Sequence, residues 1–152
     1  MSHFTLTLGP LGPLLIAFVG VSRERGEALQ KAGQKIPEPI RVQGLVDTGA
    51  SCTAIDRKVL SQLGVSPTGT TQVHTPSTGA AKPHETNQYD VLVMIPGINQ
   101  QSRAFITPAL PVIEADLEHQ GYQALIGRDI LASCVLTYVG YEGQAGHFTL
   151  AF

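Results

Sequence analysis

Short runs in which apolar residues alternate with polar ones, or follow one another between turns, predict a chain made mainly of β-strands. Residues 4–8 alternate strictly and are followed by Gly9-Pro10, which is typical of a half-buried strand ending at a turn. Other runs of strand length predict further strands at residues 14–21, 42–46, 89–95, 103–107, 123–126, 135–139 and 147–152. Residues 108–111 contain two prolines, and because Pro lacks an N–H we expect them to end the preceding strand.

Two stretches change to helical spacing. Residues 54–65 carry a candidate N-terminal cap, Asp56, and a glycine stop, Gly64, around one apolar face formed by Ile55, Val59, Leu60 and Leu63. Residues 130–133 predict a second, short buried helix, for which Asp129 is the expected cap. Helix is therefore expected to be a minor part of the fold.

Length and composition fit one domain. A chain of 152 residues with 43% hydrophobic residues can bury a core of its own, so we expect a single domain over residues 1–152. Its 16 glycines and 10 prolines, beside only 14% charged residues, favour a turn-rich β protein over a helical bundle. Residues 22–39 are charged and turn-rich, which predicts an exposed insertion with one short helix at 27–31.

Charge and apolar runs argue against nucleic-acid and membrane partners. The net charge is −2, and the Lys and Arg residues between Arg23 and Lys58 have no aromatic residues among them, which favours a solvated face. The apolar stretch at 11–19 is too short to span a bilayer. A signal peptide would carry Lys or Arg before its apolar stretch, and none precedes this one. We therefore expect a cytoplasmic protein.

Cysteines and acidic residues give no metal site. Cys52 and Cys134 form no Cys-x-x-Cys pair, so we expect two free, non-catalytic thiols and no metal. Residues 114–119 bring three carboxylates and a histidine together, but their spacing matches no calcium loop and favours a solvated acidic helix or loop.

The candidate chemistry lies in the segment Leu45-Val46-Asp47-Thr48-Gly49-Ala50-Ser51, where a carboxylate follows an apolar strand. Small residues after Asp47 let the backbone turn tightly, and Gly49 offers a bare N–H. Taken alone, Asp-Thr-Gly is equally typical of an ordinary surface turn, since all three residues favour turns. A second motif is needed to choose between the two interpretations.

The segment Leu125-Ile126-Gly127-Arg128-Asp129 supplies that motif. Together with Asp47-Thr48-Gly49 it resembles the retropepsin-like (retroviral-type) aspartic proteases over about residues 38–152. The resemblance implies a mostly β, closed-barrel-like acid protease fold, with a short C-terminal helix and one lobe per chain. It also implies that Asp47 is catalytic, that Thr48 and Gly49 support its loop, and that Gly127, Arg128 and Asp129 form a structural motif behind it. No cofactor is implied.

One catalytic aspartate per chain implies two chains. Hydrolysis of a peptide needs a base to activate water and an acid to protonate the leaving group, and two carboxyls sharing one proton supply both. The other aspartates are not followed by Thr-Gly or Ser-Gly; they are Asp56, Asp90, Asp116 and Asp129. We therefore expect a homodimer with Asp47 of each copy on its two-fold axis, and the family implies that the terminal strands help to hold it.

The resemblance also predicts how a substrate is bound. Residues 66–84 are poor in large apolar residues, which suits either a surface loop or the mobile flap of the family. The candidate substrate-binding residues are mostly small or apolar: Ala50, Ser51, Thr75, Pro76, Ser77, Thr78, Gly79, Ala80 and Ile126. In viral members an Arg at the position of Arg128 pairs with an Asp where this chain has Ser51. Its partner here is thus open among Asp56, loop carbonyls and the second copy.

The expected function is that of a cofactor-free aspartic endopeptidase acting on extended peptides. The alternative is a non-catalytic peptide-binding or dimerisation module on the same fold, because a retained Asp-Thr-Gly proves neither dimerisation nor turnover. A third possibility, a protease domain that cuts itself from a precursor, differs only in its substrate.

Overall fold

The computed structural model describes residues 2–74, 83–98, 102–141 and 144–152. Within them the strands are β1 (His3–Thr7), β2 (Leu14–Val21), β3 (Ile40–Val46), β4 (Ala54–Asp56), β5 (Gly69–Val73), β6 (His84–Ile95), β7 (Phe105–Ala115), β8 (Ala124–Ile126), β9 (Val135–Tyr141) and β10 (Gln144–Ala151). The helices are α1 (Arg23–Lys31), α2 (Arg57–Leu63) and α3 (Arg128–Leu131), with a 3₁₀ turn at Glu118–Gln120.

Six strands close into a barrel in the order β2-β3-β8-β4-β7-β6, because β6 pairs back onto β2, and β5 extends the sheet beyond β6. Alternate residues of these strands point inward and form the core, in which Ala17, Val19, Val91 and Ile126 are fully buried. The predicted mostly β, closed-barrel fold is confirmed.

A second sheet of three strands, in the order β1-β10-β9, packs on the barrel. Its contact face is aromatic: Phe4 meets Phe148 edge to face at 6.5 Å, and Phe152 meets Phe105 of β7 at 5.5 Å between ring centres. The two ends of the described chain thus lie side by side, since β1 pairs with β10 throughout.

The predicted helix over residues 54–65 is only partly right. Ala54–Asp56 forms strand β4, which pairs with β7 on one side and β8 on the other, and the helix starts at Arg57. Helical spacing could not separate the two, because all three strand residues are buried. Asp56 caps the helix as predicted, accepting from the Lys58 N–H at 2.8 Å, and Gly64 ends it at φ 63°.

The prediction that residues 108–111 end a strand is wrong. β7 continues to Ala115, and its register with β6 shifts: Val91 pairs with Leu110, whereas Val93 pairs with Thr107. An extra residue is therefore accommodated in β7 at this point, and Pro108 falls within the shift, where it breaks no regular ladder.

The connection between β2 and β3 lies at the surface. It begins with α1, which starts at Arg23, earlier than predicted. Ser22 caps this helix, its side chain accepting from the Arg25 N–H at 3.3 Å. Only Gly26 and Leu29 of α1 are buried, and they attach the segment to the barrel. No helix in the described parts of the chain has the length and apolar character needed to cross a bilayer.

Candidate active site

The Asp47 carboxylate is held by its own turn. Asp47 follows the last residue of β3, and its N–H donates to the Ile126 carbonyl of β8 at 3.0 Å. Its Oδ1 accepts from the N–H groups of Gly49 at 2.8 Å and of Ala50 at 3.3 Å. Because these donors are backbone amides of the same turn, the orientation of the carboxylate is fixed by the loop itself.

The loop is exposed at its tip. Thr48 and Gly49 are solvent-exposed in the single chain, whereas Asp47 and Ala50 are half-buried. A Cβ on Gly49 would lie 3.1 Å from Oδ1 of Asp47, so a larger residue would crowd the carboxylate.

The two sequence motifs meet because β8 lies between β3 and β4. The chain after β8 passes so close to the Asp47 loop that a Cβ on Gly127 would lie 2.5 Å from the carbonyl carbon of Cys52. The Arg128 N–H donates to the Ala50 carbonyl at 3.0 Å, and its Nη1 donates to the Thr48 carbonyl at 3.1 Å. Of the partners left open for Arg128, a loop carbonyl is the one observed.

Asp129 joins the motifs from the other side. Its carboxylate accepts from the Thr53 N–H and from the Thr53 hydroxyl, both at 2.7 Å, and that hydroxyl accepts in turn from the Gly127 N–H at 3.2 Å. The prediction that Asp129 caps the short helix is wrong, since α3 begins at Arg128 with Gly127 before it. Thr53 is fully buried, and sequence reasoning missed it.

A cleft of about 380 Å³ opens beside Asp47. Ala50 and Ser51, both predicted to bind substrate, line it. Ile126 does not: it is fully buried in the core, and its neighbour Leu125 faces the cleft, because adjacent strand residues point to opposite faces. The predicted flap residues, 75–80, lie outside the described residues.

Five further residues line the cleft and were not predicted: Cys52, Ala54, Val73, His74 and Ile113. Ala54, Leu125 and Ile113 are contributed by neighbouring strands, since Ala54 pairs with both of the others. Cross-strand neighbours share one face of a sheet, so these three side chains form a continuous apolar floor. The sequence alone does not predict that these three residues are neighbours, because this depends on the order in which the strands pair.

The cysteines give the site no activated thiol. Burial, and then the charge of Asp129, raises the pKa of Cys52, and burial raises that of Cys134. Both therefore stay protonated near neutral pH, and both are free of disulfides. Tyr122, buried beside β8, also has a raised pKa, first through burial and then through the negative charge of Asp47.

The acidic stretch at 114–119 is more ordered than predicted. Glu114 belongs to β7 and accepts from Arg57 Nε at 2.9 Å and from the Tyr89 hydroxyl at 2.7 Å, while Lys58 pairs with Glu118. The interpretation as a solvated acidic helix or loop is thus wrong for Glu114. Among the described residues no group of His, Cys, Asp or Glu side chains is arranged to hold a metal ion.

Comparison with known families agrees with this geometry. Residues 35–130 match the aspartyl protease family, and the chain belongs to that family. The matched region contains both the Asp47 loop and the Gly127-Arg128-Asp129 motif. No curated protein sequence matches the chain.

The solved structures that match the chain include the following two. The match with a retropepsin-like aspartic protease from Rickettsia conorii covers 99% of this chain and 93% of the Rickettsia chain, with a TM-score of 0.52 and 14% sequence identity. The match with the retroviral protease-like domain of Ddi1 from Leishmania major covers 88% of this chain and 92% of the Leishmania chain, with a TM-score of 0.35 and 14% sequence identity. The first of these shows that the fold is retropepsin-like.

Proposed function

We propose that this protein is an aspartic endopeptidase whose water-activating carboxyl pair consists of Asp47 from two copies of the chain. The observation that carries the proposal is the Asp47 loop itself, which presents one oriented carboxylate in an open cleft. Membership of the aspartyl protease family supports it.

The hydrogen bonds of Asp47 suit this role. Both hydrogen bonds described for its carboxylate are accepted by Oδ1. We therefore assign Oδ2 as the oxygen that contacts water or the second carboxyl. Two such carboxyls close together share one proton, so one is protonated as the acid while the other activates water as the base.

A second copy is the source of the second carboxyl. Asp56 accepts from three backbone N–H groups, and Asp129 is bound to Thr53, so both are engaged in the fold. Asp90 and Asp116 are exposed and are not among the described residues that line the Asp47 cleft. The exposed Thr48 and Gly49 place the loop tip where a second copy can meet it.

The cleft favours extended peptides with apolar side chains next to the cleaved bond. Its floor is the row of Ala54, Leu125 and Ile113, and Val73 of β5 adds a further apolar wall. Ala50 and Ser51 remain proposed substrate contacts, as do the flap residues 75–80, which follow directly on His74. Leu125 takes the place of Ile126 in this proposal.

Substitution of Asp47 by Asn tests the proposal. The amide preserves the shape of the loop but cannot share a proton between two carboxyls, so hydrolysis of an unstructured peptide library should be lost while circular dichroism stays unchanged. Asp90→Asn, at an exposed site outside the cleft, is the matched control and should keep full activity. An Asp47→Asn variant that still cleaves would disprove the assignment, and wild-type protein that binds peptides without cleaving them would favour the peptide-binding module.

A further inference from the structure

A turn between β1 and β2 holds a large apolar side chain in solvent. Leu11 is 47% exposed, and its turn contains two glycines and two prolines. The backbone groups of Gly9 and Gly12 bond to each other, with N–H to carbonyl distances of 3.3 and 3.0 Å. Gly12 has φ +100°, which glycine adopts without strain, and each proline fixes its own φ. Because the backbone of the turn is already ordered, a ligand can contact Leu11 at little entropic cost.

The turn is anchored to the end of β3, where the candidate catalytic loop begins. The Pro13 carbonyl accepts from the N–H of Val46, the last residue of β3, at 2.9 Å. A Cβ on Gly12 would lie 3.6 Å from Cδ1 of Leu45, so the turn packs on this half-buried leucine. Leu11 is therefore held at the same end of β3 as the loop.

The Leu11 side chain reaches the segment that precedes β8. A Cβ on Gly121 would lie only 2.9 Å from Cδ1 of Leu11, so the leucine rests where this glycine has no side chain. The next residue, Tyr122, has its pKa raised by burial and then by the negative charge of Asp47, so this segment lies within electrostatic range of the carboxylate. Leu11 thus stands beside both segments that flank the start of the Asp47 loop.

The apolar floor of the candidate cleft continues beneath this turn. Leu125 pairs with Ala54 on one side, and on its other side it pairs with Leu45. Leu45 pairs in turn with Leu14 of β2. Cross-strand neighbours share one face of a sheet, so the floor runs on from the cleft to the turn that carries Leu11. In the described parts of the chain, neither Leu14 nor Leu45 belongs to the core or packs against it.

A single exposed leucine is ordinary on a protein surface and needs no ligand to explain it. Leu11 differs in its position, because its turn lies over an apolar floor that is continuous with the cleft beside Asp47. Continuity with that cleft indicates the occupant, which is a further side chain of the peptide that the cleft binds.

We infer that Leu11 is a specificity-determining residue, which forms with Leu45 and Leu125 a second apolar subsite for a bound peptide. Leu125 is shared, since the Asp47 cleft lies on its β4 side and the second subsite on its β3 side. An extended peptide that crosses the Asp47 loop then places one apolar side chain on each side of Leu125. The inference rests on the proposed function, and it adds a residue outside the family match at 35–130.

Two substitutions of Leu11 test the inference in the full-length chain. Leu11→Ala removes apolar contact area, so kcat/KM for peptides with Leu or Phe at one position should fall at least about fivefold relative to peptides with Ala there. Leu11→Lys should turn the preference at that position towards Asp or Glu. Ile36→Ala and Ile36→Lys, at a surface site of similar exposure, 42%, are the matched controls and should keep the wild-type preference.

Mass spectrometry of the products from a randomised peptide library shows which position responds. Val73→Ala, in the wall of the Asp47 cleft, should change the preference at a different position. An unchanged preference in both Leu11 variants would overturn the inference, as would a change at the position that Val73→Ala affects. Equal loss on every peptide together with a raised dimer Kd in sedimentation velocity would also overturn it, because Leu11 would then contact the second copy.

Peptide binding separates this inference from the proposed function. In the Asp47→Asn background, fluorescence anisotropy of labelled peptides from the same series measures affinity without turnover. If the wild-type chain cleaves nothing but the Leu11 substitutions change the binding preference in the stated sense, the proposed function is refuted and the inference stands. If the wild-type chain cleaves peptides and neither binding nor cleavage preference responds to Leu11, the inference alone fails. A chain that neither cleaves nor binds peptides would overturn both.

Discussion

Gly127 is the residue at which the chain after β8 comes closest to the Asp47 loop. A methyl group there would meet the Cys52 backbone at 2.5 Å, and backbone cannot move aside as a flexible side chain can. Gly127→Ala should therefore lower the free energy of unfolding by about 1–3 kcal/mol and reduce peptidase activity, because the loop must shift. Gly69→Ala is the control, since a Cβ there meets nothing within 4 Å. Urea unfolding that is equal for the two variants would contradict this prediction.

At the residue scale, local sequence was informative where one short motif contains the whole interaction. The turn that orients Asp47 uses Gly49 and Ala50, which are its neighbours in sequence, so Asp-Thr-Gly-Ala was enough to predict it. Thr53 was not predicted because the hydrogen-bond partners of its hydroxyl, Asp129 and Gly127, lie far along the chain. The sequence predicts strand β8 but does not show which of its residues face the core and which face the cleft, so Ile126 was predicted to bind substrate in place of Leu125.

At the scale of elements, Glu114 connects three of them. It lies on β7 and binds Tyr89 of β6 and Arg57 of α2, and its side chain is only 12% exposed. The Tyr89 hydrogen bond and then Arg57 hold the pKa of this carboxyl below its usual range, although burial opposes them. The charged form is therefore the one that the fold favours.

This contact should make stability depend on pH. Because the folded-state pKa of Glu114 is below the unfolded value of about 4.3, its stabilisation is present above that pH and is lost as pH falls through the folded-state pKa. Glu114→Gln should lower the free energy of unfolding by about 1.5 kcal/mol at pH 7, with the difference shrinking below pH 4. Chemical unfolding at a series of pH values measures it, with exposed Glu38→Gln as the control. A difference that does not change with pH would show that Glu114 acts through packing alone.

Elements were predicted well where a single run of residues makes the pattern. β2 was predicted with its observed bounds, and the terminal hairpin of β9 and β10 was also expected. Two of the errors fell at β4 and β7, where pairing with strands distant in sequence decides the outcome. Ala54–Asp56 is a strand because β7 and β8 flank it. β7 continues past Pro108 because an extra residue in β7 is accommodated where its register with β6 shifts.

At the scale of the whole molecule, closure of the barrel depends on pairing between β2 and β6. Alternation of residues predicts strands but not their order, so the closed barrel was expected from the family resemblance and not from the pattern. The proposed two-copy site would likewise be a property of the assembly, so it is tested by measuring activity against protein concentration.

If each copy brings one Asp47, peptidase activity per chain should fall on dilution through the dimer Kd, because a monomer has no carboxyl pair. The shared proton predicts a bell-shaped dependence of rate on pH. At high pH both carboxylates ionise across the axis, and their repulsion should weaken the dimer. Activity and sedimentation measured on the same dilution series at two pH values test both effects. Constant activity per chain in samples that sediment only as monomer would rule out the two-copy site.

If the active site takes one Asp47 from each of two copies, a mixture of intact and altered chains should lose more activity than the altered fraction alone would remove. A subunit carrying Asp47→Asn keeps its turn and its outer surfaces, so it should still associate with an intact subunit and withhold one of the two carboxyls. When equal amounts of intact and altered chains assemble at random, only about a quarter of the pairs hold two aspartates. An inactive allele expressed beside a normal one should thus act as a dominant inhibitor, lowering activity below the half that loss of one gene copy alone would leave.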